Sequence, residues 1–350
     1  MKSDTSRIDR IALIRRLRDE YGLVIEQLTF VPKGEESYGY IATSTSGQRY
    51  FVKVHSFVEG YDEAQLEQLK RPYQVVYQLV NTHGLDYIVA PLPTRSGEVV
   101  TRFGDFTVAV FDYVVGDGLT LTAPQQQDWQ QIGKLIAALH SDTRKLLTTR
   151  HSLADIPEEP FAIGFKSWLL DVLAATEQKL RINDDIRQQA WQLLKHEKDL
   201  VLQCLLRAEK LADKAQQQSY NPALTHGDLA YENILALSDG RLVIIDWGKL
   251  LKAPVERDLL DFWGANFEKV VTYYLINCDP MPELHSEILD YYLARNQLVQ
   301  IADYGSWLLL EDAAPEDLDH AWAQLQKLFP LQSYDCSELL QRIQAKIEKH

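Results

Sequence analysis

Cysteine, basic charge and long apolar runs are all scarce in this chain. Among 350 residues there are three cysteines, Cys204, Cys278 and Cys336, far apart and without C-x-x-C spacing. They offer neither a zinc site nor a disulfide framework, which fits a reducing cytoplasm. No apolar run approaches the length that crosses a bilayer. The opening residues, with Lys2, Asp4, Arg7, Asp9 and Arg10, lack a signal-peptide core, so no membrane partner is expected. Lys and Arg number 36 against 50 Asp and Glu, a net charge of −14, and this lacks the basic footprint that nucleic acid requires. The acidity is compatible with a cationic small molecule without demanding one. Internal repeats and low-complexity tracts are absent too. The apolar fraction of 46% is enough for a full core, and the length suits a single two-lobed globular chain.

The most informative stretch is Thr225-His226-Gly227-Asp228-Leu229-Ala230-Tyr231-Glu232-Asn233, followed by two short apolar runs, Ile234–Leu237 and Leu242–Ile245. Ser238-Asp239-Gly240 between the runs has hairpin chemistry, since Asp-Gly tolerates the positive φ of tight turns. Asp228 and Asn233 therefore enter a hairpin, and Asp246, in Asp246-Trp247-Gly248, leaves it. An Asp carboxylate can orient a hydroxyl and accept its proton, while an Asn carbonyl and a second Asp are hard oxygen ligands for Mg²⁺. H-x-D, four residues, Asn, then a downstream D-x-G is the spacing of phosphoryl transfer. A lone D-x-x-x-x-N is cheap; the same spacing followed by an apolar strand and Ile245-Asp246-Trp247-Gly248 is not.

On these residues the chain resembles the aminoglycoside phosphotransferase and choline kinase group of the protein-kinase-like fold. Ala253-Pro254-Val255-Glu256-Arg257-Asp258-Leu259 resembles the spectinomycin phosphotransferase branch. Members commonly carry His two residues after the catalytic Asp, where this chain has Ala230, and Gly or Ala before the Asn, where it has Glu232. Neither departure removes the base or a ligand. The resemblance implies an α+β, two-lobed fold. Residues 1–115 would form an antiparallel-sheet, nucleotide-binding N-lobe, and 116–350 a mainly helical C-lobe carrying the catalytic loop and acceptor site.

The N-terminal third fits that order. An amphipathic helix runs from Ile8 to Tyr21, followed by strands at Leu28–Val31, Tyr38–Thr43 and Arg49–Val54. Gly34 and Gly39 read equally as phosphate-binding glycines or as hairpin punctuation, and Ser37 equally as a phosphate donor or a turn residue. Lys53, between Val52 and Val54, must be paired or face solvent, because unpaired burial is costly. With the downstream motif present it reads as the lysine that secures the α/β-phosphates. Its expected partner is a Glu on the next helix. Pro72 suits a first turn and the helix continues to Thr82, which leaves Glu63 and Glu67 just ahead of it, and Glu67 is the choice. Tyr87–Pro91, Glu98–Thr101 and Phe106–Val114 read as strands. By resemblance the end of the last is the hinge, whose backbone at Asp112, Tyr113 and Val114 binds adenine.

Beyond the hinge the period turns helical. Thr122–Gln125 looks like an N-cap, and Trp129, Ile132, Leu135, Ile136 and Leu139 form a face ending at His140, which reads as a packing or capping residue. Asp258 reads as a carboxylate that orders the catalytic loop. The acidic run Glu311, Asp312, Glu316, Asp317 and Asp319 reads as a solvated face with helix-start acids, or as a cation-attracting rim. The sum is an ATP- and Mg²⁺-dependent O-phosphotransferase, with Asp228 as base, Asn233 and Asp246 as metal ligands and Lys53 on the phosphates. By resemblance the acceptor is a hydroxyl of a small cationic aminocyclitol or aminoglycoside such as spectinomycin, conferring antibiotic resistance. Choline, a sugar or an amino alcohol stays open as acceptor, as does the oligomeric state. A non-catalytic nucleotide-binding module and, further off, a metal hydrolase are the other classes.

Overall fold

The computed structural model of the chain describes residues 8–32, 37–56, 63–119, 126–149, 156–178, 184–311 and 313–348. The chain divides into two compact units. One takes in Met1–Pro157, Ala223–Lys252 and Asn277–Asp279; the other takes in Glu158–Pro222, Ala253–Ile276 and Pro280–His350.

The first unit opens with helix α1 (Arg10–Tyr21). Asp9 caps it by accepting the N–H groups of Ile11 and Ala12, and Gly22 ends it in the left-handed conformation at φ 76°. Strands β1 (Ile25–Val31), β2 (Ser37–Ser44) and β3 (Arg49–Ser56) follow, then α2 (Glu63–Asn81), β4 (Thr101–Phe103) and β5 (Phe106–Asp112). The five strands form one antiparallel sheet in the order β1-β2-β3-β5-β4. Strand alternation decides which side chains go where. Tyr50, Val52 and Val54 of β3 are buried with Tyr38, Tyr40, Val108 and Val110 and with Leu13 and Leu17 of α1. Phe51 instead packs with Tyr73 of α2, Ala109 and Phe111. Lys53 shares the parity of Phe51, and its cross-strand neighbours are Gly39 and Ala109, which leave room for its stem. Gly39 is thus a strand residue opposite Lys53, and a Cβ there would come 3.1 Å from the Phe51 ring.

Three expectations shift here. Helix α2 starts at Glu63 and runs through Pro72, because the row Leu66, Leu69, Tyr73 and Val76 keeps helical spacing across the proline and packs inward. That burial outweighs the N–H that Pro72 lacks. Tyr87–Pro91 forms no strand, only isolated bridges from Ile88 to Ile244 and from Pro91 to Phe111. The Glu98–Thr101 strand lies further on, as β4, with Val99 and Val100 buried ahead of it.

The unit continues with β6 (Gly116–Gly118), α3 (Gln126–Thr149), β7 (Ala223–Thr225), β8 (Ile234–Leu237), β9 (Leu242–Ile244) and β10 (Leu251–Ala253). Strands β6, β8 and β9 form a three-stranded sheet. His140 is fully buried in mid-helix, because α3 runs on to Thr149, and its carbonyl accepts from Arg144 Nε at 3.1 Å. The expected N-cap at 122–125 lies outside the described residues.

The second unit is helical: α4 (Lys166–Ala175), α5 (Asp185–Gln217), α6 (Glu256–Leu259), α7 (Phe267–Asn277), α8 (Ser286–Leu309), α9 (Pro315–Lys327) and α10 (Ser337–Ile347). Its main core joins Leu169, Val172 and Leu173 of α4 to Leu194, Val201 and Leu205 of α5, Leu298, Ile301 and Leu308 of α8 and Leu325 of α9. Asp258 is fully buried in α6, beside Glu256. Burial pushes the Glu256 carboxyl up to about 7, while it accepts the His285 N–H at 2.7 Å. Of the acidic run, Asp317 sits in the first turn of α9, where a carboxylate suits the free N–H groups; Asp312 and the Glu316 side chain lie outside the described residues. At Gly305 α8 comes close to α4, since a Cβ there would lie 2.5 Å from Val172 Cγ1. Gly305→Ala gains ~1 kcal/mol of helix propensity but overpacks the contact by up to ~3 kcal/mol. A lower midpoint of thermal unfolding with an unchanged helical signal is the expected result.

Among the described residues no helix is long and apolar enough to cross a membrane. The α+β organisation read from the sequence is the one observed: an N-terminal antiparallel five-stranded sheet and a mainly helical C-terminal part.

Candidate active site

The Thr225–Asn233 segment is built around His226, which is fully buried. Its Nε2 lies 2.8 Å from the Ile245 carbonyl, and its Nδ1 3.2 Å from the Asp228 N–H. A carbonyl only accepts and an N–H only donates, so Nε2 carries the proton and Nδ1 accepts. One imidazole thus joins the residue before Asp246 to the backbone of Asp228. Gly227, between them, has φ 80°, which glycine adopts without a Cβ penalty. Trp247 lies against the His226 ring with centroids 4.7 Å apart and donates its Nε1–H to the Ile244 carbonyl at 3.2 Å. The positioning role of His226 was invisible in the sequence, although the H-x-D spacing flagged the residue.

Asn233 closes a 3-10 turn, Tyr231–Asn233, that leads directly into β8. Its side-chain N–H donates to the Asp228 carbonyl at 2.8 Å, which turns the amide oxygen away from that carbonyl. Its own carbonyl accepts the Ile245 N–H at 3.0 Å, one residue before Asp246. Tyr231 of the same turn packs edge-on against Trp129 of α3, ring centroids 5.9 Å apart.

Asp246 sits at φ 69°, a left-handed conformation that Asp tolerates better than most residues. Its Oδ1 lies 2.5 Å from Lys53 Nζ, closing β3 onto the end of the hairpin across 193 residues. Burial pushes the Asp246 carboxyl up, but the Lys53 ammonium beside it outweighs burial and holds it below its ordinary value. Lys53 is the more enclosed partner, 13% exposed against 36% for Asp246. Asp228 is half exposed, with Oδ2 3.7 Å from Lys249 Nζ.

The structure therefore brings Lys53, Asp228, Asn233 and Asp246 together. The remaining expected residues lie as follows. Ser37 is the buried first residue of β2, paired with His55, and Gly34 lies outside the described residues. Asp112 ends β5 with its side chain exposed. The Tyr113 N–H donates to the Arg49 carbonyl at 3.2 Å, and the Arg49 guanidinium lies 4.3 Å over the Tyr113 ring. Tyr113 thus spends its amide inside the protein. Glu67 is placed elsewhere: it lies on a half-exposed flank of α2, 3.9 Å from Lys70, which pairs more closely with Glu98 at 2.7 Å. Lys53 has Asp246 as its carboxylate instead.

Among the described residues no group of three or more His, Cys, Asp or Glu is arranged to hold a metal. One carboxylate and one amide oxygen, at Asp246 and Asn233, fit an ion such as Mg²⁺ that takes the rest of its shell from water and substrate phosphates.

The chain is similar to several known proteins. The profile described as "Phosphotransferase enzyme family" matches residues 27–276. Protein StrN of Streptomyces griseus is 28% identical over 309 residues, covering 87% of this chain and 86% of StrN. A spectinomycin phosphotransferase in complex with ADP and spectinomycin superposes with a TM-score of 0.73 at 19% identity, over 97% of this chain and 99% of that one. An amicoumacin kinase in complex with AMP-PNP, Ca²⁺ and Ami superposes at 0.62 and 16% identity, over 95% and 98%. At these identities the two structures share the fold. The family match, which runs from β1 into α7 and spans Lys53, Asp228, Asn233 and Asp246, carries the assignment: the chain belongs to the phosphotransferase enzyme family and is a small-molecule kinase of it.

Proposed function

We propose that the chain transfers the γ-phosphoryl of ATP to a hydroxyl of a small cationic aminocyclitol, spectinomycin first, and so confers resistance to it. The observation that carries the kinase chemistry is the closure of Lys53 on Asp246 beside a hydrogen-bonded Asp228–Asn233 pair. Asp228 orients the acceptor hydroxyl and takes its proton as the oxygen–phosphorus bond forms and the bond to the ADP oxygen breaks. Lys53, already beside Asp246, secures the α/β-phosphates. The backbone at Asp112, Tyr113 and Val114 receives the adenine edge, and Ser37, at the start of β2, donates to a phosphate. Asn233 and Asp246 would hold Mg²⁺, which when bound neutralises charge on the phosphate oxygens. Positioning and charge neutralisation then supply most of the acceleration. Residues 1–115 serve nucleotide binding, and 116–350 supply the catalytic loop and acceptor site.

Three observations support the acceptor. Ala253–Leu259 resembles the spectinomycin branch, the fold superposes on a spectinomycin phosphotransferase, and the chain carries a net charge of −14, which suits a cationic ligand. The test is ADP release from Mg·ATP across aminocyclitols, aminoglycosides, choline and simple sugars. A response at least tenfold stronger to spectinomycin than to the others is expected. A stronger response to choline or a sugar would keep the kinase chemistry and overturn the acceptor. Tight ATP binding with silence across the panel would favour a non-catalytic nucleotide-binding module.

A further inference from the structure

The turn that carries Asp246 continues through Trp247 and Gly248 to Lys249, and its flanks are anchored. Trp247 is fully buried, and Leu250 is buried just before β10, where the Leu251 carbonyl accepts the Thr225 hydroxyl at 3.2 Å. Lys249 is held between these anchors with Nζ 3.7 Å from Asp228 Oδ2, and the two side chains are 45% and 44% exposed. An ion pair that open to water contributes little to folding, so stability alone gives no reason for it. Its location does. Asp228 is an anion that must work beside a polyanionic phosphate chain, and like charges at that range repel strongly once water is displaced. Lys53 is already matched by Asp246. The position two residues after Asp228 is Ala230, which has no polar side chain to offer.

We propose that Lys249 is a positioning residue for phosphoryl transfer. It holds Asp228 Oδ2, offsets the carboxylate charge against the incoming phosphates, and leaves the other oxygen for the acceptor hydroxyl. The proposal rests on Asp228 being the acceptor-facing carboxylate. Lys249 takes no proton and forms no bond in the reaction; it acts through Asp228.

The experiment compares Lys249→Met, Lys249→Arg and Asp228→Asn with the wild type, in Mg·ATP alone, where water is the acceptor, and with spectinomycin added. Lys249→Met is expected to lower kcat about 10–100-fold. The KM for ATP and the midpoint of thermal unfolding should stay near the wild-type values, and Lys249→Arg should recover at least several-fold of the lost rate. A kcat within twofold of wild type in Lys249→Met overturns the proposal. So does an Arg variant as impaired as the Met variant, or a loss of rate that tracks a loss of thermal stability. If Asp228→Asn abolishes turnover while Lys249→Met leaves it intact, only the role of Lys249 falls. Unchanged turnover in Asp228→Asn removes the reading of the whole site, and Lys249 with it.

Discussion

Asp228→Ala is expected to reduce turnover about a thousandfold or more while ATP binding persists. A positioned general base contributes roughly 10²–10⁴ in rate, and in the proposed mechanism Asp228 would also fix the direction of the acceptor hydroxyl. Nucleotide affinity should survive because the groups assigned to it lie on other segments: Lys53 on β3, the backbone after β5, and Asp246 after β9. The scaffold should survive as well. The contacts that shape the loop use the Asp228 backbone, whose N–H is bonded to His226 and whose carbonyl is bonded to Asn233, and alanine retains both. Single-turnover ADP release together with calorimetric ATP binding checks both halves. Turnover within a few-fold of wild type would remove Asp228 from the mechanism.

The second large effect separates the two ends of the Lys53–Asp246 pair. Lys53→Met and Asp246→Asn should each lower kcat/KM for ATP by about two orders of magnitude or more, since each removes a group that in the proposed mechanism faces the phosphates or their metal. Their effects on stability should differ. Asn keeps the left-handed backbone conformation of Asp246, so that substitution isolates the charge. It leaves the ammonium of Lys53, 13% exposed, without its carboxylate. Breaking a fully buried pair costs roughly 3–5 kcal/mol and an exposed one under ~1 kcal/mol, so a loss of about 1–2 kcal/mol is expected for this intermediate site. Lys53→Met leaves the charge on Asp246, which is 36% exposed and reaches water, and puts an apolar stem between Gly39 and Ala109. Its stability should stay within ~0.5 kcal/mol of wild type. Thermal unfolding of both variants without nucleotide decides the point; equal losses would mean that both ends are equally desolvated.

Much of the site was legible because its signals are local. The β8–β9 hairpin follows from two apolar runs around Asp239-Gly240, and Gly240 does adopt φ 84°. Lys53 could be singled out because a cation inside an alternating strand needs a partner or water. What misled the reading was also local chemistry, overruled by burial. Pro72 looked like a helix start, yet the apolar row that continues through it packs against β5 and Phe51. Tyr87–Pro91 has strand composition, but Pro91 has no N–H for a ladder, and the segment gives only single bridges to Ile244 and Phe111. His140 looked like a helix end, but a buried helix face has no need to stop at a histidine.

By itself, the sequence determined the spacing of Asp228, Asn233 and Asp246, the hairpin that presents them, and the alternation that puts Lys53 on the face opposite the α1 core. Those features depend on backbone geometry over a few residues, where turn chemistry and strand period leave little choice. Which carboxylate Lys53 meets, how His226 shares its two nitrogens, and that Lys249 rather than a residue near Ala230 stands beside Asp228 were decided only in three dimensions. Each joins segments brought together by folding, and charge and hydrogen-bond partners are chosen by distance in space, which the order of residues along the chain does not contain.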